Sequence, residues 1–174
     1  MFKELNILKP FFEEPNREFN VREAARILKI TPATASKKLK EFSKQSILKH
    51  RKERILELYK ANLESYAYRD LKTYYTIRKL RNSNLIESLN EFYLKPAIIL
   101  YGSSSKGMDT ETSDIDLIII SENTKEFPKK KEYEKKLGKD IHIFAVKKLS
   151  ELENKHLINN VLNGIVLEGE LAWN

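Results

Sequence analysis

Two acidic side chains are spaced to act together, because Asp114 and Asp116 are separated by one residue at the start of the apolar run 117–120. Side chains alternate between the two faces of a β-strand, so we expect both carboxylates on the same face. Two negative charges at so short a distance repel each other, and a divalent cation would neutralise them. The pair therefore predicts a Mg²⁺ site, with Mn²⁺ as the alternative ion.

A turn rich in glycine and serine precedes this pair along the chain. The apolar segment 97–101 has the pattern of a short buried strand, and it runs into Gly102-Ser103-Ser104-Ser105-Lys106-Gly107. Gly102 permits a tight turn, and Ser103 with the amides that follow it offers hydrogen-bond donors to an anion. A phosphate-binding turn beside a carboxylate pair indicates Mg²⁺-dependent handling of a nucleoside triphosphate.

The turn and the acidic pair together resemble the signature of the DNA polymerase beta-like nucleotidyltransferase superfamily. Gly102-Ser103 is followed by ten residues and then by Asp114-Ile115-Asp116-Leu117. The stretch 102–107 looks like the loop of the small prokaryotic members, in which a basic residue commonly stands in the place of Lys106. The similarity covers residues 96–170. It implies a minimal nucleotidyltransferase domain that transfers a nucleoside monophosphate from a triphosphate, with ATP expected, to an acceptor hydroxyl.

The resemblance also implies a role for each matching residue. Asp114 and Asp116 would ligate Mg²⁺, which bridges the phosphates and orients the α-phosphorus for in-line attack as pyrophosphate leaves. The phosphates would be bound by the residues of the turn, namely Gly102, Ser103, Ser104 and Lys106. Catalysis of this kind consists of positioning and charge neutralisation.

The sequence departs from the family pattern at one position. Active members usually carry a third carboxylate on a later strand, and the matching apolar segment here is 141–146. His142 occupies the aligned position, and Asp140 lies two residues earlier, where it could substitute if the strand extends that far. We predict Asp114, Asp116, Asp140 and His142 as the catalytic set, with His142 as base or metal ligand. The alternative is that the third acid is lost and the domain binds nucleotide with little turnover.

Positive charge is concentrated in the first half of the chain. The formal net charge is +7, yet residues 1–95 hold 21 Lys and Arg against 12 Asp and Glu. Within residues 20–54 the count is 11 against 3. A field of this kind attracts polyanions, most commonly nucleic acid, although a lysine-rich solvated surface gives the same count.

The same region has the pattern of short helices. Apolar residues at helical spacing predict a first helix over residues 2–13. Asn20 is typical of an N-cap, with Glu23 able to return a hydrogen bond to the cap. Thr31 and Pro32 predict the start of another helix, over 31–45. Two short helices joined by a tight turn indicate a helix-turn-helix.

Strand-like segments at 47–48 and 55–59 flank the basic stretch 49–54 and predict a hairpin with a basic tip. Residues 1–60 thus resemble the winged helix-turn-helix of small prokaryotic transcriptional repressors. Such domains bind DNA, and some serve as protein-interaction modules. The predicted DNA contacts are Thr34, Lys37, Lys40, Arg51 and Arg54, which combine phosphate and base-edge contacts.

Residues 62–94 again show helical spacing, and Lys95-Pro96 ends this stretch. We therefore predict an α+β protein with a winged helix-turn-helix domain at 1–61 and a small mixed-sheet nucleotidyltransferase domain at 96–174. The segment 62–95 would be a helical connector and a possible interface of a homodimer.

Composition excludes several classes of protein. The chain has no cysteine, which rules out disulfides, thiolate zinc sites and a cysteine nucleophile. Its apolar runs are too short to span a bilayer and no signal core is visible, so we expect a cytoplasmic protein without a membrane partner. Two functions remain open: a nucleotidyltransferase with a DNA-binding winged helix, or a DNA-binding regulator whose second domain only binds nucleotide or is inactive. A small toxin-like partner is also compatible with the sequence.

Overall fold

The computed structural model describes residues 2–171, with side chains from Leu5 onward. Met1 and residues 172–174, which the predicted domains include, lie outside this part. The α-helices described are α1 (Phe2–Glu13), α2 (Val21–Leu28), α3 (Pro32–Lys44), α4 (Tyr66–Asn82), α5 (Leu85–Tyr93), α6 (Gly102–Ser105), α7 (Lys130–Leu137) and α8 (Lys155–Leu162). The strands described are β1 (Phe19–Asn20), β2 (Leu48–Glu53), β3 (Leu56–Ala61), β4 (Ala97–Tyr101), β5 (Ile115–Ile120), β6 (Ile141–Val146) and β7 (Ile165–Glu168). Over residues 2–171, no helix combines the length and the apolar character needed to cross a membrane.

Two compact units divide between Tyr75 and Thr76, which is a point inside α4. Residues of the predicted connector 62–95 therefore belong to both units. Each unit combines helices with its own sheet. This confirms the α+β class, with a winged helix-turn-helix arrangement followed by a small mixed sheet.

Side-chain caps begin the two helices of the helix-turn-helix. The Asn20 side chain accepts a hydrogen bond from the Glu23 amide at 2.9 Å, and Thr31 accepts one from the Thr34 amide at 3.2 Å. Pro32 occupies the first turn of α3, where its missing N–H costs nothing. Both predicted helix starts are confirmed, but the Glu23 carboxylate binds Arg17 instead of returning to the cap.

The wing differs in detail from its prediction. β2 and β3 pair antiparallel with Glu53 opposite Leu56, so the tip of the hairpin is Arg54-Ile55. Residues 49–53, which belong to the basic tip predicted over 49–54, lie within β2 instead. Charged side chains are tolerated there because β2 is an edge strand whose residues after Leu48 are exposed.

The sheet of the C-terminal unit has the order β6-β5-β4-β7. β5 is parallel to β6 and antiparallel to β4, which in turn is antiparallel to β7. β4 and β5 are central and covered on both faces, which explains their unbroken apolar runs. One face packs on residues of α5 and α7, and the other on residues around α8, including Leu149, Leu152 and Val161. These two cores fix the three strands whose ends carry the polar residues described next.

Candidate functional site

Three neighbouring strands bring polar side chains to one end of one sheet face. Tyr101 of β4 lies opposite Asp116 of β5, and Asp116 lies opposite His142 of β6. Asp114 immediately precedes β5. Residues in register on adjacent strands project to the same face, so the pairing itself assembles the group.

The imidazole of His142 contacts both carboxylates. Its Nδ1 lies 3.3 Å from Asp116 Oδ1, and its Nε2 lies 3.7 Å from Asp114 Oδ2. The side chains are accessible to a ligand, since Asp114 is 41% exposed, Asp116 26% and His142 59%. The structure thus brings together three of the four residues predicted as catalytic.

Asp140, the fourth, lies just outside this group. β6 begins at Ile141, so the strand does not extend to Asp140 as its predicted role required. Its backbone carbonyl accepts a hydrogen bond from the Ile115 amide at 2.9 Å, and its side chain lines an open groove beside Asp114. Within the described chain, that side chain forms no hydrogen bond or ion pair with Asp114 or His142.

Gly102 touches the carboxylate of Asp116. Its φ of +73° lies in the left-handed region, and a Cβ on this residue would sit 2.4 Å from Asp116 Oδ2. Only glycine can hold this conformation without strain and let the turn lie against the acid. The same turn forms the four-residue α6, with Ser103 half-buried and Lys106 exposed.

Ser104 faces the interior and supports Asp114 from within the domain. It is fully buried, and its hydroxyl donates to the backbone oxygen of Asp114 at 3.3 Å. A side-chain hydrogen bond therefore links the turn to the backbone of Asp114. The predicted contact between Ser104 and nucleotide stays a prediction.

Sequence reasoning did not single out Tyr101. Its side chain is half-buried, and burial together with the charge of Asp116 raises the pKa of Tyr101 above the usual value for tyrosine. The phenol is thus held neutral beside the acid. The alternation of side chains along β4 predicts the sheet face on which Tyr101 lies. Only the pairing of β4 with β5 shows that Asp116 is its neighbour.

The donor set fits Mg²⁺ in the form that this ion usually takes. Over residues 2–171, no cluster of three or more His, Asp and Glu is arranged to hold a metal by itself. Mg²⁺ is usually bound by one or two carboxylates together with water and substrate phosphates, not by an all-protein cage. Asp114 and Asp116 supply such a partial shell, so they would hold the ion jointly with a bound triphosphate.

The predicted DNA contacts on α3 lie on its outer face. Ala35, Leu39 and Phe42 are buried, whereas Thr34, Lys37 and Lys40 are exposed. The Thr34 hydroxyl is hydrogen-bonded to that of Thr31 at 2.9 Å. Within the described residues, the two lysines form no ion pair, so their charges face solvent.

On the wing, Arg51 is already bound by two carboxylates. Its Nε and one terminal nitrogen donate to both oxygens of Glu18 at 2.7 and 2.6 Å, and the other terminal nitrogen donates to Glu53 at 2.6 Å. Hydrogen bonds to Glu18 and then to Glu53 raise the pKa of Arg51, and the hydrogen bond from Arg51 lowers the pKa of Glu18. Arg54 at the tip is exposed and, among the residues described, has no ion pair. The two predicted wing contacts are therefore not equally available.

Comparisons with known proteins bear on the C-terminal unit. Residues 82–167 match the family model of the nucleotidyltransferase domain, a span that contains Gly102, Asp114, Asp116 and His142. A search of curated proteins found no match. Among solved structures, a possible transcriptional regulator from Methanosarcina mazei Go1 is 21% identical, with a TM-score of 0.37, over 53% of this chain and 78% of that chain. A similarity this low adds nothing to the assignment.

Proposed function

Because residues 82–167 match the nucleotidyltransferase domain, we propose that the C-terminal unit transfers a nucleoside monophosphate from a nucleoside triphosphate to an acceptor hydroxyl. One observation carries the proposal: Asp114 and Asp116 share one end of the sheet, with the Gly102 turn packed against Asp116. A carboxylate pair next to a glycine–serine turn suits a magnesium–triphosphate complex. ATP is the triphosphate we propose, and Mn²⁺ the alternative ion.

The residues of the site divide the work between binding and proton transfer. Ser103 and Lys106 would contact the phosphates at the turn. When bound, Mg²⁺ would neutralise phosphate charge next to Asp114 and Asp116. A bond forms between the acceptor oxygen and the α-phosphorus while the bond from that phosphorus to pyrophosphate breaks. His142 would take the acceptor proton, with Asp116 holding its ring by the 3.3 Å contact.

A second candidate function rests on the position of the third carboxylate. His142 stands where the resemblance places an acid, and Asp140 lies outside β6. A domain of this kind could bind nucleotide with little turnover and act as the sensor of a DNA-binding regulator. Mg²⁺-dependent binding is common to both candidates, whereas transfer of an α-phosphate label belongs to the first alone.

The test is a calorimetric titration of the four ribonucleoside triphosphates with and without Mg²⁺, on wild type and on Asp114→Asn/Asp116→Asn. We expect Mg²⁺-dependent binding by wild type that the double substitution abolishes, because it removes both anionic ligands without changing side-chain shape. Lys131→Met, on the exposed surface of α7, is the matched control and should bind like wild type. No binding of any triphosphate by wild type would refute a functional nucleotide site.

We further propose that the N-terminal unit binds DNA, as a homodimer that contacts two half-sites about 34 Å apart. The outer face of α3 supports this, since Lys37 and Lys40 face solvent opposite a buried apolar face. Reversing the charges of Lys37 and Lys40 should abolish a salt-sensitive mobility shift with genomic DNA fragments. Unchanged binding by a folded variant would contradict the proposal.

A further inference from the structure

The loop before Asp114 has little regular structure of its own. Residues 108–113 connect α6 to β5 without a helix or strand, and Asp114 precedes the first residue of β5. Asp116, by contrast, lies within β5 and is paired to strands on both sides. The position of Asp114 therefore depends on what holds this loop.

A buried ion pair fastens the loop to the turn that leads into β6. Lys139 Nζ donates to Asp109 Oδ2 at 2.6 Å and to the Thr110 carbonyl at 2.8 Å. The side chains of Asp109 and Lys139 are 3% and 14% exposed. A pair this well shielded from water keeps its geometry more strictly than a surface pair.

Hydrogen bonds continue from this pair to the carboxylate. The Thr110 carbonyl that binds Lys139 also accepts from the Ser113 amide at 3.2 Å, and the Thr110 amide donates to the Ser113 hydroxyl at 2.9 Å. Ser113 is the residue before Asp114. The contacts thus run from Lys139 through Thr110 and Ser113 to the backbone of Asp114.

Lys139 also adjoins the strand that carries the imidazole. The next residue, Asp140, accepts a hydrogen bond from the Ile115 amide at 2.9 Å, and His142 follows two residues later. One lysine therefore connects the segment that ends in Asp114 to the segment that begins β6. These two segments carry the atoms of the 3.7 Å contact between His142 Nε2 and Asp114 Oδ2.

We propose that Asp109 and Lys139 are positioning residues that set Asp114 against His142 and Asp116 for the magnesium–triphosphate complex. This inference rests on the proposed function of the same site. Neither side chain needs to touch the substrate, because the effect passes through the loop. Residues that orient metal ligands from behind typically change metal affinity or activity by about 10- to 100-fold when they are replaced.

The experiment compares Lys139→Met with the double variant Asp109→Val/Lys139→Met. The single variant leaves a buried carboxylate without its lysine and should lower the Tm, whereas the double variant replaces both charges with apolar groups and should recover most of it. If the pair positions Asp114, the double variant recovers the Tm but still binds Mg²⁺–ATP about 10- to 100-fold more weakly than wild type. If the pair only stabilises the fold, Tm and affinity recover together, and the proposal is overturned.

A second readout separates this proposal from the proposed function. The ring nitrogen shifts of His142 are measured by NMR without nucleotide, with Lys131→Met as the control for loss of one lysine in the same unit. Positioning predicts that Asp109→Val/Lys139→Met moves these shifts and Lys131→Met does not. If wild type binds no triphosphate, the proposed function fails, yet the His142 shifts still decide whether the pair positions the site. Unmoved shifts in the double variant would refute positioning.

Discussion

The wing and the carboxylate site are both dense in charge, but they satisfy that charge differently. On the wing, Arg51 is bound by Glu18 and Glu53, and Lys49 pairs with Glu64 at 2.9 Å. At the site, the imidazole of His142 lies within 4 Å of the carboxylates of both Asp114 and Asp116. Within residues 2–171, neither of these acids forms an ion pair with a lysine or arginine.

Charged side chains on the wing such as Arg51 are paired with other side chains within the protein, whereas the carboxylates of the site remain accessible to a ligand. Exposed pairs such as those on the wing contribute little to stability, commonly about 0–1 kcal/mol, but each occupies a cation that a phosphate could otherwise bind. Two adjacent carboxylates without a lysine or arginine partner repel each other, and an external cation would relieve that electrostatic cost. A ligand site is therefore marked by charged groups that remain unpaired within the protein, and not by the number of charges. On this criterion Lys37 and Lys40 of α3, which form no ion pair within the described residues, are more available to a phosphate than Arg51 on the wing.

The largest effect is expected where a backbone position touches the carboxylates. Gly102→Ala would place a Cβ 2.4 Å from Asp116 Oδ2, at a φ of +73°. The carboxylate must move, so we expect Mg²⁺-dependent nucleotide binding to fall at least ~10-fold, beyond the ~1–2 kcal/mol cost of a left-handed alanine. Calorimetry and thermal unfolding measure the two effects separately.

Gly138→Ala provides the control for this substitution. Gly138 has a φ of +68°, but nothing lies within 4 Å of the position that its Cβ would take. It should show the loss of stability without the loss of binding. Equal binding losses in the two variants would show that the contact with Asp116 is unimportant.

A smaller effect should distinguish α3 from the wing. Lys37→Gln removes an exposed cation with no ion pair, so DNA affinity should fall and the salt dependence of binding should decrease by about one counterion. Arg51→Gln removes a cation already held by Glu18 and Glu53, so its effect should be weaker. Binding measured at several salt concentrations gives both slopes. A larger loss for Arg51→Gln would reverse the ranking of the two surfaces.

The sequence alone was sufficient to predict a strand or a helix start wherever one local pattern determines it. β4 and β6 occupy 97–101 and 141–146, as their apolar patterns predicted. Asn20 and Thr31 begin their helices because capping depends on residues three positions away. The alternation of side chains along a strand likewise predicted that Asp114 and Asp116 lie on one face, although β5 begins one residue after Asp114.

What the sequence did not reveal depends on contacts between distant segments. Lys139 pairs with Asp109 across 30 positions, and Arg51 pairs with Glu18 across 33. No period or motif predicts such pairs, since either partner could equally face solvent. The wing tip was misplaced for a related reason: charged residues at 49–53 carry no strand signal, and their conformation follows from pairing with β3.

The smallest predicted effect tests whether Glu18 competes with DNA for Arg51. Glu18→Gln removes the carboxylate that binds two nitrogens of Arg51 and leaves the contact with Glu53 in place. DNA affinity should rise a few-fold, and the salt dependence should increase by at most about one counterion, because Arg51 becomes partly available to phosphate. Stability should change little, since the pair is solvent-exposed. The double variant Glu18→Gln/Arg51→Gln should lose the gain, because the released cation is then missing. A gain that persists without Arg51 would mean that Glu18 acts through general charge repulsion and not through this pair.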